Sequence, residues 1–411
     1  MASQRAYTKL TITPKGEKML RGGHPWVYFD EITAVNGDYE NGDIVDVYSQ
    51  KDRYLGSGFI NDNSKIRVRI ISRNANDKFD EAFFERRVKY AIDYRKTVMG
   101  DDFNACRLIF GEADMFPGLT LDRFENILVS QVLSLGTEKR KDIIYKAAVK
   151  VLREMGEKID AIYERNDVAI RKLEGMEEYT GFYKAEGLAD DLDGNVIITE
   201  NGIKYNVDYI NGQKTGFFLD QKYNRLSIHK ICQGMDVLDC FTHTGSFALN
   251  AGIAGAKSVL GIDASQLAVD QATENAKLNG LQEVVKFQCE DVFALLPRLE
   301  AEGRKFDVII LDPPAFTKSR SSVKNAVKGY REINLRAMKL LKDGGFLATC
   351  SCSHFMTYEL FTQTIRQAAK NVHKRLRQVE YRHQAPDHPI LWAAEESYYL
   401  KFYIFQVMNQ P

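Results

Sequence analysis

The chain has 411 residues, of which 44% are apolar and 27% charged, and its 56 basic residues balance its 56 acidic ones. This length exceeds what one hydrophobic core accommodates, so we expect two or three domains. The composition excludes a disordered chain. The absence of an apolar run of roughly 18 residues excludes a membrane-spanning helix, and residues 1–9 lack the apolar core of a signal peptide, so we expect a cytoplasmic protein.

Residues 1–73 form the first predicted domain, which is rich in β-strands. Short alternating segments are separated by Gly, Asn and Asp turns, as in a small β-barrel. The segment 66–70, Ile-Arg-Val-Arg-Ile, would bury its apolar side chains and present its arginines on the opposite face. With Trp26, these arginines are suited to an RNA surface. A core tryptophan beside solubilising arginines explains the same pattern equally well.

Residues 74–190 form a predicted α+β central domain. Asp80 is a candidate N-cap for a helix over 80–98, whose apolar residues recur at helical spacing. We predict strands over 106–110, 119–124, 127–133 and 161–165 and a helix over 137–154. A polar, Gly-containing stretch over 174–192 predicts a connection to the next domain.

Residues 191–411 form a predicted doubly wound α/β domain. After a hairpin, apolar segments alternate with amphipathic helices, the pattern of a parallel sheet covered by helices. The predicted parallel strands are 236–240, 258–263, 285–289, 306–312 and 345–350.

Acidic residues lie where four of these strands end. They are Asp239, Asp263, Asp291 and Asp312. In a doubly wound sheet, ligands bind at the carboxyl ends of the strands. The turn after the first strand contains only Gly245, and therefore lacks the Gly-x-Gly-x-x-Gly pattern of a dinucleotide site. The acids predict S-adenosylmethionine instead, with Asp263 on the ribose and Asp291 on the adenine amino group. The alternative is that these acids only cap helices.

The last parallel strand ends in two thiols, Cys350 and Cys352, which are two residues apart and therefore point to the same face. The preceding strand ends in the turn 312–316, Asp-Pro-Pro-Ala-Phe. A thiolate beside a carboxylate suits covalent attack on a nucleobase. Without a Cys-x-x-Cys or a histidine pair at zinc spacing, we expect neither a metal site nor disulfides. Both cysteines could also be small core residues.

Together these motifs resemble the RlmI-type large-subunit ribosomal RNA cytosine-5 methyltransferases over nearly the whole chain. The motifs are 23–28 (Gly-His-Pro-Trp-Val-Tyr), 116–124, 215–221 (Thr-Gly-Phe-Phe-Leu-Asp-Gln), 239–245 (Asp-Cys-Phe-Thr-His-Thr-Gly), 312–316, 351–353 (Ser-Cys-Ser) and 387–389. The resemblance implies an N-terminal PUA domain and a Rossmann-like class I methyltransferase domain. It also implies that the cofactor pocket is lined by residues from the motifs at 215–221 and 239–245, namely Phe217, Asp220, Gln221, Asp239, Phe241, Thr244 and Gly245.

The resemblance also implies a site for RNA. The Ser-Cys-Ser motif selects Cys352 as the nucleophile, whereas the Thr-Cys-Ser motif of related enzymes selects Cys350. Asp312 would polarise the base. We expect RNA contacts from the turn and the basic residues after it, namely Pro313, Pro314, Phe316, Lys318 and Arg320. The alternatives are a guanine-N7 methyltransferase and a non-catalytic RNA-binding assembly factor, and either a monomer or a homodimer is compatible with the sequence.

Overall fold

The computed structural model describes residues 5–317 and 319–410. Its internal contacts divide this part of the chain into two units. The first runs to Ile198 and adds Val207–Leu219 and Pro386–Ser397, and the second comprises Thr199–Asn206, Asp220–Ala385 and the chain from Tyr398 onward. No helix in the described ranges is long and apolar enough to cross a membrane.

The first unit begins with a six-stranded sheet in the order β2-β6-β5-β4-β1-β3, counted over the described residues. Register shifts in four of its strand pairs mark bulges, which bend and twist the strands. Leu10, Val45 and Val68 belong to its buried core. The elements are β1 (Lys9–Ile12), α1 (Pro14–Arg21), β2 (Trp26–Tyr28), β3 (Ile32–Asn36), β4 (Ile44–Ser49), β5 (Tyr54–Ile60) and β6 (Ile66–Ser72).

A second sheet in this unit has the order β11-β10-β9-β8-β7. The predicted N-cap is confirmed, because the Asp80 carboxylate accepts a hydrogen bond from Phe83 N at 2.9 Å at the start of α2. The elements are α2 (Glu81–Met99), β7 (Ala105–Phe110), β8 (Leu119–Phe124), β9 (Ile127–Val132), α3 (Leu135–Glu138), α4 (Lys141–Glu154), β10 (Ala161–Asn166), α5 (Ile170–Leu173) and β11 (Tyr179–Phe182).

Two features of the first unit were not predicted. The stretch 174–192 contains the edge strand β11, which is too short to show a clear alternation. The segment Pro386–Ser397 also belongs to this unit although it lies far along the chain. It is held there because Arg95 Nη2 donates to Asp387 O at 2.9 Å and Arg107 N donates to Asp387 Oδ2 at 2.9 Å. The predicted domain boundaries near 73 and 190 remain predictions.

The second unit contains a seven-stranded sheet in the order β16-β15-β14-β17-β18-β20-β19, counted over the described residues. Its first five strands run parallel, as predicted, and β20 lies antiparallel between β18 and β19. The hairpin before this sheet consists of β12 (Asn195–Glu200) and β13 (Ile203–Asp208). The strands of the sheet are β14 (Asp236–Cys240), β15 (Ser258–Asp263), β16 (Val285–Cys289), β17 (Phe306–Leu311), β18 (Leu341–Ser351), β19 (Lys374–Arg382) and β20 (Lys401–Asn409).

The order of this sheet places its switch point between β14 and β17, where the chain reverses direction across the sheet. The central strand β17 is apolar and buried at nearly every position, as expected when helices cover both faces. The helices of this part are α6 (Lys222–Ser227), α7 (His229–Cys232), α8 (Ser246–Ile253), α9 (Gln266–Leu278), α10 (Val292–Ala301), α11 (Val323–Leu340) and α12 (Tyr358–Asn371).

Candidate active site

The carboxyl end of β14 carries the most deeply buried acid of the site. Asp239 is fully buried, and its Oδ2 accepts a hydrogen bond from Thr242 Oγ1 at 2.5 Å. Its Oδ1 has no hydrogen-bond partner among the described residues. Burial, opposed by the Thr242 hydrogen bond, raises the pKa of Asp239 to about 8. Because buried polar atoms normally have a hydrogen-bond partner, this oxygen is a candidate for binding a polar group of a ligand.

The turn after β14 is strained. Phe241, His243 and Gly245 all have positive φ, at 66°, 50° and 83°. Such angles cost about 1–3 kcal/mol at non-glycine residues and cluster at binding sites. Gly245 is required for a second reason, because a Cβ there would lie 2.7 Å from Cζ of Phe287. The turn leads directly into α8, and Thr244 beside it is buried.

The acid at the end of β15 braces this turn. His243 N donates to Asp263 Oδ2 and Ser265 N donates to Asp263 Oδ1, each at 2.9 Å. The Asp263 carboxylate therefore holds the turn and the start of α9. Each oxygen keeps a second lone pair, which leaves capacity to accept from ribose hydroxyl groups.

The acid that follows β16 caps a helix. Asp291 is exposed, and its Oδ1 accepts from Phe293 N at 2.6 Å and from Ala294 N at 3.3 Å at the start of α10. Asp291 therefore caps a helix, as the alternative explanation of these acids expects. The expected adenine contact from Asp291 stays a prediction.

The acid after β17 binds a thiol and an amide. Asp312 Oδ1 accepts from Gln221 Nε2 at 2.9 Å and from Cys350 Sγ at 2.9 Å. Burial raises the pKa of Asp312 to about 6, while the hydrogen bond from Cys350 acts in the opposite direction. The amide of Gln221 is fixed from its other end by Asn224 Nδ2, which donates to Gln221 Oε1 at 2.6 Å. This places a motif residue from 215–221 beside the predicted catalytic carboxylate.

Asp220, the other acid of this motif, is buried. Tyr399 Oη donates to its Oδ2 at 2.6 Å, and Ala385 N donates to its main-chain oxygen at 2.8 Å. The negative charge of Asp220 also raises the pKa of Asp312, after burial and the Cys350 hydrogen bond. Asp220 therefore acts on the electrostatics of the strand-end cluster.

The two candidate nucleophiles have different surroundings. Cys350 is fully buried, and its Sγ lies 2.9 Å from Asp312 Oδ1 and 3.2 Å from Leu311 O. Burial and then the negative charge of Asp312 raise the pKa of the Cys350 thiol well above its usual value. Cys352 lies just beyond the end of β18, is only half-buried, and has its Sγ 3.8 Å from Pro313 O. Cys350 is thus a hydrogen-bond donor in the core, whereas Cys352 is partly accessible.

The turn after Asp312 carries the predicted RNA contacts. Pro314 is exposed, Pro313 is buried, and the ring of Phe316 packs 4.6 Å from that of Tyr330 on α11. Phe316 is therefore held in an aromatic cluster, and only part of its surface is accessible. Arg320 is exposed, whereas Lys318 lies outside the described residues.

Three further motif residues belong to the first unit. Phe217 is buried, and Thr215 Oγ1 donates to Asp122 Oδ2 at 2.6 Å. Trp26 Nε1 donates to Glu112 Oε1 at 2.9 Å. The contacts of Trp26 and Thr215 fix their side chains within the first unit.

The arginines of β6 are paired with acids. Arg69 forms ion pairs with Glu112 and Glu174, at 3.1 Å and 2.9 Å, and Arg67 forms one with Asp62 at 2.6 Å. These acids neutralise much of the positive face that the alternating pattern predicts. The contacts favour the structural explanation of Trp26 and the arginines over the RNA surface.

Two buried polar residues near Cys352 were missed. Tyr330 Oη accepts a hydrogen bond from Ser351 Oγ at 3.0 Å, and Lys401 Nζ donates to Ser353 O at 2.8 Å. The sequence does not distinguish Tyr330 from any other tyrosine on an amphipathic helix, so its contact with Ser351 could not be predicted. Lys401 could have been noticed in the sequence, because it is a single lysine directly before the apolar run Phe-Tyr-Ile-Phe.

Models of known families match two parts of the chain. Residues 10–73 match a PUA-like domain, and residues 148–401, more than half of the chain, match an S-adenosylmethionine-dependent methyltransferase. The solved structure of a SAM-dependent methyltransferase from Streptococcus mutans superimposes with a TM-score of 0.81 at 22% identity, covering 97% of this chain and 99% of that one. This similarity confirms the predicted Rossmann-like fold.

Curated relatives match over nearly the whole chain. The ribosomal RNA large subunit methyltransferase I of Pseudoalteromonas atlantica is 40% identical over 98% of this chain and 100% of its own. The protein of the same name from Aeromonas salmonicida is 41% identical over 94% of this chain and 96% of its own. These matches confirm both the resemblance seen in the motifs and the cofactor. The chain belongs to the ribosomal RNA large subunit methyltransferase I family of S-adenosylmethionine-dependent methyltransferases.

Proposed function

We propose that this protein methylates carbon 5 of a cytosine in large-subunit ribosomal RNA, through a covalent bond between Cys352 and the base. The observation that carries the proposal is the difference between the two thiols. Cys350 is buried and donates to Asp312, whereas Cys352 is partly accessible at the end of β18. The names of the curated relatives support large-subunit ribosomal RNA as the substrate.

S-adenosylmethionine would be held at the strand ends of the second unit. Asp263 would accept from the ribose and Asp291 from the adenine amino group, while the tight turn at Gly245 admits the close approach of the cofactor. Asp239 Oδ1, which has no hydrogen-bond partner within residues 5–317 and 319–410, fits a polar ligand group. When bound, the cofactor supplies an electrophilic methyl group on a sulfonium.

The cysteine would activate the base. Carbon 5 of cytosine is a poor nucleophile, so the Cys352 thiolate first forms a bond to carbon 6, and the electrons of the ring double bond make carbon 5 nucleophilic. Carbon 5 then takes the methyl group as the bond from methyl carbon to sulfur breaks. A base removes the carbon 5 proton, and the bond from Sγ to carbon 6 breaks to restore the ring.

Asp312 would bind the polar edge of the same ring. With a pKa of about 6, its carboxyl group exchanges protons near neutral pH and can either donate to a ring nitrogen or accept from the amino group. A base inside folded RNA must first leave its stack, at a cost of roughly a few kcal/mol. The half-buried ring of Phe316 is available to stack on it.

Trapping with a fluorinated substrate tests the proposal. RNA with 5-fluorocytosine at the target should form a stable protein–RNA adduct, because fluorine cannot leave as a proton. Cys352→Ala should form no adduct and lose methyl transfer by several orders of magnitude, while its affinity for S-adenosylhomocysteine stays unchanged.

Cys350→Ala is the matched control, because it removes a thiol two residues away and should still form the adduct. If the two variants exchange their behaviour, the nucleophile is Cys350. Full methylation by both variants would contradict a covalent mechanism and favour guanine N7 as the target, since N7 needs no cysteine. Nucleoside mass mapping of the RNA product distinguishes the two modified bases.

A further inference from the structure

Lys401, the first residue of β20, is a buried lysine that forms no ion pair with an acid of the described residues. It is 1% exposed, and its Nζ donates to Ser353 O at 2.8 Å and to Tyr399 O at 2.7 Å. Within the ranges 5–317 and 319–410, no carboxylate forms an ion pair with it. Buried charges are normally paired, because removing an ammonium from water is costly. A lysine kept here against that cost points to a negative charge that forms nearby.

The pairing of two strands brings Lys401 to the candidate nucleophile. β20 runs antiparallel to β18, with Lys401 opposite Ser351. The carbonyl that holds the ammonium belongs to Ser353, the residue directly after Cys352. Cys352 is also the group whose negative charge would stabilise the charged form of Lys401. A thiolate at Cys352 is therefore the counter-ion that the lysine otherwise lacks.

Among the described residues around Cys352, neither Tyr330 nor the pair of Cys350 and Asp312 supplies a positive charge. Tyr330 on α11 accepts from Ser351 Oγ at 3.0 Å, and burial raises the pKa of its hydroxyl. On β18 and the turn after β17, the Cys350 thiol is bound to the Asp312 carboxylate, an arrangement that opposes a second negative charge. His354, two residues beyond Cys352, is half-buried beside Phe355.

Burial lowers the pKa of Lys401 to about 8, which still leaves most of its side chain protonated at neutral pH. A neighbouring ammonium lowers the pKa of a thiol, and the thiolate is the form that attacks carbon. The charge of Lys401 is thus present in the pH range where the nucleophile has to be ionised.

We propose that Lys401 is a positioning residue that keeps Cys352 as a thiolate by placing an ammonium beside it across the β18–β20 pairing. The part that concerns methyl transfer rests on the proposed function. The electrostatic part does not, because it concerns the ionisation of a thiol and is measurable without substrate. Lys401 itself touches neither RNA nor cofactor in this role.

The test is the pH dependence of Cys352 alkylation in the full-length protein. The protein is treated with iodoacetamide at a series of pH values, and peptide mass spectrometry reports the rate at Cys352 separately from the other cysteines. In the wild type, the midpoint should lie below that of an unperturbed cysteine, about 8.5. Lys401→Gln and Lys401→Met should raise the midpoint by about one pH unit, and the alkylation rate near neutral pH should fall about tenfold.

Two controls separate charge from fold. Lys342→Gln removes an exposed lysine at the opposite end of β18, where it pairs with Asp307, and should leave the midpoint unchanged. Lys401→Gln can still donate to Ser353 O, so it should keep the wild-type melting temperature and affinity for S-adenosylhomocysteine even if the methionine variant does not.

Either of two results overturns the proposal. One is a wild-type midpoint at or above about 8.5, which needs no variant. The other is a folded Lys401→Gln protein with the wild-type midpoint. If the midpoint shifts as expected but Cys352→Ala still methylates RNA, the thiolate is established and the proposed function fails. If Cys352 forms the fluorocytosine adduct but the midpoint does not move, the function stands and the role of Lys401 fails.

Discussion

Asp239 is fully buried and Asp312 is partly buried in one strand-end cluster, and burial raises their pKa values to different levels, about 8 and about 6. Their hydrogen bonds and neighbouring charges differ, because Arg225 favours the charged form of Asp312 whereas Asp312 and Asp263 oppose the charged form of Asp239. Asp312 accepts from Gln221 and Cys350, which stabilise its charged form. Asp239 accepts from Thr242, and its other oxygen has no hydrogen-bond partner in the described part of the chain. Asp312 is therefore mostly ionised at neutral pH, whereas Asp239 is mostly protonated there and is the better candidate for a neutral carboxyl group that hydrogen-bonds to a ligand.

The raised pKa of Asp239 predicts a pH dependence of stability. The unfolded chain loses this proton near the usual pKa of 3.8, whereas the folded protein keeps it up to about 8. The folded state therefore binds more protons in this window, and the free energy of unfolding falls as pH rises, by about 1.4 kcal/mol per pH unit from this group. In Asp239→Asn this contribution is absent. Urea unfolding at several values between about pH 5 and pH 7 should give a less steep fall for the variant.

Asp236→Asn is the matched control for this prediction, because it lies on the same strand. A hydrogen bond from Ser258 lowers the pKa of Asp236, so its contribution is complete above 3.8 and is lost only as pH falls below that value. Its unfolding free energy should therefore keep the wild-type slope between about pH 5 and pH 7. Identical slopes for Asp239→Asn and the wild type would show that Asp239 is ionised in the folded protein.

At the level of elements, the turn between β14 and α8 determines the shape of the candidate cofactor site. Gly245→Ala would combine a positive φ of 83° with a Cβ placed 2.7 Å from Cζ of Phe287. We expect a loss of about 1–3 kcal/mol in the free energy of unfolding from the unfavourable backbone and the contact. Affinity for S-adenosylhomocysteine, measured by calorimetry, should fall at least tenfold because the turn must move.

Gly280→Ala separates the two effects. Gly280 also has a positive φ, 66°, but a Cβ there would meet nothing within 4 Å. This variant should show only the backbone cost, about 1 kcal/mol, and unchanged cofactor affinity. Equal affinities in both variants would mean that the turn does not shape the site.

The parallel strands and the acids at their ends could be predicted from the sequence because both depend on local patterns. Apolar runs between amphipathic helices identify β14 to β18, and the carboxyl ends of parallel strands share one edge. The strands β19 and β20 were missed. The segment of β19, Lys-Arg-Leu-Arg-Gln-Val-Glu-Tyr-Arg, is rich in basic residues, and its pairing with β20 depends on contacts between distant residues.

The contacts around the two cysteines could not be predicted for the same reason, because they join residues that are distant in the sequence. The pair of cysteines at 350 and 352 identifies candidate nucleophiles, but the bonds from Gln221 and Cys350 to Asp312 join residues that are 91 and 38 positions apart. No periodicity reports such contacts. Only the packed structure shows that Cys350 is a buried donor, that Asp291 caps a helix, and that Lys401 donates to the carbonyl of the residue after Cys352.

For the whole molecule, zero net charge means that any RNA affinity has to come from local basic surfaces. One such surface is the outer face of α11, where Lys324, Lys328 and Arg331 are exposed at helical spacing after the Asp-Pro-Pro turn. Another comprises Arg366, Lys370 and Arg377, on α12 and the edge strand β19. The first follows the turn of the candidate site directly, so we expect it to hold RNA phosphates.

The salt dependence of RNA binding tests this expectation. Each phosphate contact releases counterions and contributes about 0.7 to the slope of log affinity against log salt for single-stranded RNA. Replacing Lys324, Lys328 and Arg331 by glutamine should therefore weaken binding and reduce the slope by about 2, with unchanged affinity for S-adenosylhomocysteine. Replacing Arg366, Lys370 and Arg377 removes the same charge from the second surface and should leave the slope unchanged. If this second triple variant shows the reduced slope and the first does not, RNA phosphates bind at the α12–β19 surface instead.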